Sequence, residues 1–334
     1  MRAFEHLDAT SIGDILAAIG EDWQTRLIAG GTDLIPLMKN GVIAPARLIN
    51  IKSVPELSRL DFSDEGGLVI GALVTLDEVV RYPPVHQHYR VLAEAVEAAG
   101  SPQLRNMATL VGNLLQSTRC WYFRGPFFCW LKGGDSCYAV DGENQRHAIF
   151  GDGPCHAVHP SDAASALIAL DAQLTIYNRD GGSRAVPLEQ FYAAPVEERR
   201  RETLLQPDEL VAEVRVPAPS SAARGTFLKV MTRVAWDFAL ASVAVQGMWD
   251  GPVAREISIV LGGVATVPWR APQAESVARG EPVDGRIARD AAEAAVIGAQ
   301  ALRLNGYKVE LVQTLVERAL VTAASPGRQH RHAA

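Results

Sequence analysis

The sequence predicts an α+β protein in two parts, a larger mixed region followed by a small domain in which helices cover a sheet. Three observations predict this. Short apolar runs alternate with helical periodicity through roughly the first hundred residues. Pro217-Ala218-Pro219-Ser220-Ser221 is the best linker in the chain and places the boundary there, giving parts of 1–219 and 222–325. Beyond it come three strand-like runs and two amphipathic stretches. With 334 residues and 48% hydrophobic content, the chain can support two cores.

The elements follow in order. Thr10 or Ser11 can cap a helix whose apolar face is Ile12, Ile15, Leu16 and Ile19. Arg26 to Ala29 reads as a strand running into the turn Gly30-Gly31-Thr32-Asp33, with a short helix over Leu34 to Lys39. Arg47 to Ile51 and Leu68 to Ala72 are strand candidates, and Tyr89 to Ala99 has helical spacing. Ser161-Asp162 opens a helix over Ala163 to Leu170. Leu174 to Val186 fits a hairpin turning through Asp180-Gly181-Gly182, and Glu209 to Val216 a strand. In the second part, Thr226 to Met231, Ala241 to Met248 and Arg255 to Leu261 read as a three-stranded sheet. Arg286 to Leu302 and Tyr307 to Ala324 read as its helices. The polar tail, 326–334, reads as disordered.

Charge and hydropathy exclude several classes. The net charge is −6, with no extended basic run before the tail, which argues against a nucleic-acid partner. No run of 18 uncharged apolar residues is present, so no membrane span is expected. The start carries neither an apolar signal core nor a twin-arginine pair. Its own signals therefore place the chain in the cytoplasm, with the periplasm reached only alongside a signal-bearing partner.

Two glycine-bearing segments can meet a diphosphate. In Ala29-Gly30-Gly31-Thr32-Asp33 the glycines let backbone N–H groups approach an anion, and Thr32 adds a hydroxyl. It is neither a Walker A loop nor a Gly-x-Gly-x-x-Gly fingerprint. Gly112-Asn113 can do the same. Each segment read alone fits an ordinary turn better, and Gly112-Asn113 fits the end of a strand.

Four cysteines, Cys120, Cys129, Cys137 and Cys155, all fall in one segment, separated by eight, seven and seventeen residues. The segment is rich in glycine and aromatics and has no clean period. Two disulfides, a zinc site, an iron–sulfur cluster and unligated core thiols are all open readings. Disulfide scaffolds are usually small and secreted. Zinc sites usually use closely spaced cysteine pairs, absent here. Four thiolates are the complement of a [4Fe–4S] cubane, and Trp121, Tyr122, Phe123, Phe127, Phe128 and Trp130 can exclude water from it. His147, His156 and His159 lie in or beside the segment and read as neighbours of the cysteines or as surface residues, not ligands. Asp135, Glu143 and Arg146 read as charges that stabilise the loop.

Taken together, these pieces resemble the FAD-binding subunits of the xanthine dehydrogenase and molybdenum hydroxylase family. The resemblance is carried by Ile28-Ala29-Gly30-Gly31-Thr32-Asp33-Leu34, Gln103-Leu104-Arg105-Asn106 and Thr109-Leu110-Val111-Gly112-Asn113-Leu114. His159-Pro160-Ser161-Asp162, Phe227-Leu228-Lys229, Leu261-Gly262-Gly263-Val264-Ala265 and Pro268-Trp269-Arg270 extend it over nearly the whole chain. The cysteine segment, about 118–158, is similar to that of a smaller branch that includes periplasmic aldehyde oxidoreductases and 4-hydroxybenzoyl-CoA reductases.

The resemblance implies a two-part FAD domain of the PCMH or vanillyl-alcohol-oxidase type. A C-terminal domain like that of carbon monoxide dehydrogenase flavoproteins follows it. It implies FAD held by Ile28, Ala29, Gly30, Gly31, Thr32, Asp33, Leu34, Thr109, Gly112, Asn113, Ser161 and Asp162, with Lys229 near the isoalloxazine ring. Trp236 and Phe238 fit either a place near the ring or the core. It also implies a [4Fe–4S] cluster on Cys120, Cys129, Cys137 and Cys155. The implied partners are a molybdenum-cofactor large subunit, a [2Fe–2S] small subunit and an external electron acceptor, in an aldehyde oxidoreductase. No catalytic residue is expected on this chain. The rivals are a stand-alone FAD-dependent oxidase or dehydrogenase and a zinc-stapled binding module.

Overall fold

The structure is a computed structural model that describes residues 1–233 and 236–325. The tail expected to be disordered, 326–334, lies outside the described residues. Among the described residues no helix is long and apolar enough to cross a membrane.

Three sheets organise the chain. The first is parallel, with strands β1 (Glu5–Asp8), β2 (Thr25–Ile28) and β3 (Arg47–Asn50) in the order β1-β3-β2. Parallel neighbours need crossover connections, and helices Ile12–Ala18 and Leu34–Lys39 supply them. Ser11 caps the first helix in a capping box. Its hydroxyl accepts from Asp14 N at 3.1 Å, while Asp14 Oδ2 accepts from Ser11 N at 3.0 Å.

The second sheet is antiparallel. Its strands are β4 (Leu60–Ser63), β5 (Gly67–Gly71), β6 (Gln173–Asn178), β7 (Ser183–Pro187) and β8 (Glu209–Val216), in the order β4-β5-β8-β6-β7. The expected hairpin is β6–β7. Helices Arg90–Glu97 and Asp162–Ala169 contribute to the core that also takes in the first two sheets. Every residue of Asp162–Ala169 is buried, as an apolar helix with small residues all round permits.

Residues 217–222 connect β8 to the third sheet, formed by β9 (Ala223–Val230), β10 (Ala241–Asp250), β11 (Val253–Gly262) and β12 (Trp269–Arg270) in the order β12-β11-β10-β9. The three expected strands gain a two-residue fourth at the edge. Helices Pro272–Ala278, Gly285–Ala294 and Tyr307–Ala324 share a separate core with this sheet. The helix expected to run to Leu302 stops at Ala294, and Gly298 beyond it takes φ +83°. Glu94 ties the two parts, its Oε2 accepting from Thr226 Oγ1 at 2.8 Å and Phe227 N at 2.7 Å.

Lys308, near the start of the last helix, is fully buried and donates to Gly263 O at 2.8 Å. Burial, with Arg146 nearby, lowers its pKa to about 7. The unfolded chain therefore binds a proton that the fold resists. The resulting stability is fully present above the unfolded pKa and is lost as pH falls through about 7. Urea melts at pH 7 and 9.5 are expected to show wild type gaining stability relative to Lys308→Met as pH rises. A constant difference between the two proteins would contradict that linkage.

Candidate functional site

A cleft of about 520 Å³ opens beside the end of β2. That size suits a cofactor. Ile28, Ala29, Gly30, Gly31, Thr32, Asp33, Leu34, Thr109 and Gly112 all line it. Gly30 brings its backbone against Met107, and Gly31 takes φ +69°, a left-handed conformation that glycine adopts without strain. Gly112-Asn113, expected at a strand end, lies instead within the short helix Leu110–Leu114. Thr109 Oγ1 caps it by accepting from Gly112 N at 3.1 Å.

Asp33 does not face the cleft as a free carboxylate. Its Oδ1 pairs with Arg124 Nη2 at 2.7 Å and Arg119 Nη2 at 3.0 Å, and Oδ2 accepts from Ser117 N at 2.9 Å. The first glycine turn is thereby fastened to the start of the cysteine segment.

Asn113, Ser161, Asp162 and Lys229 do not line the cleft. They form a chain of contacts next to Gly112. Ser161 Oγ donates to Asn113 Oδ1 at 2.6 Å and caps its own helix by accepting from Ala164 N at 3.0 Å. Asp162, the next residue, pairs with Lys229 Nζ at 2.6 Å in a buried setting, and Lys229 also donates to Ala98 O at 2.9 Å. Burial raises the Asp162 pKa while Lys229 pulls it down. Trp236 and Phe238 are exposed, and the Arg119 guanidinium sits 4.7 Å from the Phe238 ring centroid.

Several cleft residues are not among the expected cofactor contacts, and His159, expected beside the cysteines or at the surface, is buried at the cleft instead. Trp23, Arg26, Arg201, Glu202 and His159 line it. The guanidiniums of Arg26 and Arg201 each lie 4.5 Å from the Trp23 ring centroid. Arg26 Nε, Arg201 Nε, Glu202 Oε1 and both ring nitrogens of His159 are buried without a hydrogen-bond partner. Burial, together with Arg201, lowers the Arg26 pKa to about 10. Burial raises that of Glu202 to about 7 and lowers that of His159 to about 3, so the imidazole is neutral. Each orphaned polar group costs about 1–3 kcal/mol unless a ligand satisfies it. Unpaired cations, a carboxyl, glycine turns and apolar walls in one cleft fit a ligand that is part anion, part ribose and part aromatic ring, as FAD is.

A second, smaller cavity is lined by all four cysteines with Tyr122, Phe123, Trp130, Leu131 and Ala157. No disulfide joins them. Burial raises the Cys120 thiol to about 11, with Cys137 and Cys129 adding to the shift, and raises Cys155 as well. Thiolates this close repel one another unless a cationic centre lies between them. Among the described residues no group of three or more His, Cys, Asp or Glu side chains is placed to hold a metal ion. Phe123 and Leu131 line both cavities. Arg200 braces the segment, donating to Trp130 O and Gly134 O at 2.8 Å each.

Known proteins match this architecture. Residues 2–219 match the family described as FAD binding domain in molybdopterin dehydrogenase, and residues 226–323 match the CO dehydrogenase flavoprotein C-terminal domain. The aldehyde oxidoreductase FAD-binding subunit PaoB of Escherichia coli K12 is 39% identical over 254 residues, covering 75% of this chain and 78% of PaoB. The carbon monoxide dehydrogenase medium chain of Hydrogenophaga pseudoflava is 28% identical over 326 residues, 96% of each chain. A solved structure of carbon monoxide dehydrogenase from that organism superposes with a TM-score of 0.76 at 27% identity, covering 96% of this chain and 97% of that one. The glycine turns, the FAD-sized cleft and these matches agree: the chain belongs to the family of FAD-binding subunits of molybdenum hydroxylases, and is an oxidoreductase flavin subunit.

Proposed function

We propose that the chain carries FAD and a [4Fe–4S] cluster as the electron-transfer subunit of a heterotrimeric molybdenum hydroxylase that oxidises aldehydes. The observation that carries the cluster is the cavity lined by Cys120, Cys129, Cys137 and Cys155. Four thiolates are the ligand set of a [4Fe–4S] cluster, and these four would hold it. The aldehyde assignment is supported by the likeness to PaoB. The two groups, when bound, supply one-electron transfer at the cluster and one- or two-electron transfer at the flavin.

The chain's own residues do the positioning. Residues 28–34 cradle the diphosphate, with Thr109 and Gly112 on the other side. Asn113, Ser161, Asp162 and Lys229 support that side through their linked contacts. Phe123 and Leu131, common to both cavities, would keep water out between the two groups. Residues 1–219 form the FAD domain and 222–325 the C-terminal domain. A molybdenum-cofactor large subunit and a [2Fe–2S] small subunit deliver the electrons, and an external acceptor removes them.

Anaerobic purification, a visible spectrum and analysis for FAD, iron, sulfide and zinc test this reading. The expected result is one FAD with about four irons and four sulfides per chain. FAD without iron would remove the cluster. Turnover of an aldehyde by the isolated chain would instead favour a stand-alone flavoenzyme.

A further inference from the structure

His147 is almost fully buried and stands against the cysteine cavity. Its Nε2 lies 3.2 Å from Cys120 Sγ. Its Nδ1 is buried with no partner. The ring packs edge-on to Trp121, with centroids 5.0 Å apart and planes at 81°. The backbone is held too, since His147 O accepts from Asn305 Nδ2 at 3.1 Å. Packing on this scale fixes the ring's orientation, and among the described residues the Cys120 sulfur is the one hydrogen-bond partner of the ring, with Lys308 and His156 as its titratable neighbours.

A neutral imidazole carries one N–H. A thiolate has no proton to give, so the bond to Cys120 forms only with the hydrogen on Nε2. Among the described residues, Cys120 is the one cysteine whose sulfur receives a side-chain nitrogen.

We propose that His147 is a positioning residue that donates Nε2–H to the Cys120 thiolate and thereby raises the reduction potential of the cluster. This rests on the reading that the four cysteines hold a [4Fe–4S] cluster. Reduction adds negative charge that spreads onto the ligand sulfurs. A fixed donor aimed at one of them stabilises the reduced form more than the oxidised one. Hydrogen bonds to the sulfurs are among the factors that set such potentials. The donor also makes Cys120 unlike the other three ligands.

The test uses the full chain, purified without oxygen, as wild type, His147→Phe and His147→Gln. Iron and sulfide are measured on every sample, and the midpoint potential is read by EPR-monitored titration. The expected result is a downward shift in His147→Phe at unchanged iron and sulfide, with His147→Gln, which keeps an N–H donor, lying closer to wild type. An unchanged potential in a fully loaded His147→Phe overturns the proposal. Should that variant lose its cluster, wild type labelled with ¹⁵N-histidine decides. Weak histidine nitrogen coupling to the reduced cluster supports the bond, and its absence overturns it. A wild type without iron overturns the cluster reading itself, and this proposal with it.

Discussion

Replacing Gly30 with alanine is expected to destabilise the chain by about 3 kcal/mol and to weaken FAD binding at least about tenfold. A Cβ at this position would lie 2.7 Å from the Met107 carbonyl carbon and closer still to its oxygen. Both are backbone atoms, so no side chain can swing aside. Met107 is held in turn, because its N donates to Leu104 O at 3.1 Å and Ala108 N donates to the same oxygen at 2.8 Å. The collision must move the first glycine turn away from the segment leading to Thr109, and the turn and Thr109 both line the cleft. Stability and cofactor affinity therefore fall together. Gly285→Ala is the matched control. No atom lies within 4 Å of a Cβ placed there, so its effect should stay within about 0.5 kcal/mol. Urea denaturation and fluorescence titration of the flavin-free chain read both quantities. A Gly30→Ala protein as stable as Gly285→Ala would show that Gly30 is an ordinary turn residue.

Legibility in the sequence followed the range of the interactions. Helix Leu34–Lys39, strand β8 and the long helix Tyr307–Ala324 have their expected bounds, because local periodicity and caps set them. Ser161 was readable as a cap for the same reason. Gly112-Asn113 reads as a strand end but lies in a short helix, which is stabilised by the Thr109 cap and by Leu110 N donating to Val74 O at 2.9 Å, a partner remote in sequence. The helix after Arg286 was drawn too long because apolar spacing continues past its true end at Ala294. In the site, the glycine turns were visible as motifs, whereas the basic wall was not. Arg200, Arg201 and Glu202 belong to a run of charges that reads as a solvated loop, and only folding lays it over the cleft beside Arg26. The shared wall of Phe123 and Leu131 is likewise a product of packing, as each would pass for loop hydrophobics. The pairing of Asp162 with Lys229, 67 residues apart, has no local signature at all.

That pair carries the second large effect. Lys229→Met is expected to cost about 3–5 kcal/mol at pH 8, because it leaves the Asp162 carboxylate buried without its cation. Both side chains are nearly inaccessible, at 3% and 6% of their surface, so water cannot take the place of the lost partner. Burial already raises the Asp162 pKa and Lys229 works against that rise. With Lys229 removed the folded pKa climbs further above its unfolded value. The contribution of such a group is fully present below the unfolded pKa and is lost as pH increases through the folded one. The variant's deficit should therefore shrink between pH 8 and pH 5, as the carboxyl takes up a proton and its burial becomes less costly. A double variant, Lys229→Met with Asp162→Leu, removes both charges and should recover most of the loss, since apolar pairs of similar volume often replace buried ion pairs without penalty. Denaturant melts of wild type, Lys229→Met, Asp162→Leu and the double variant at both pH values close the cycle and give the coupling energy. A deficit independent of pH and equal in the two variants would mean that the lysine stem, which reaches from β9 to Asp162, matters more than its charge.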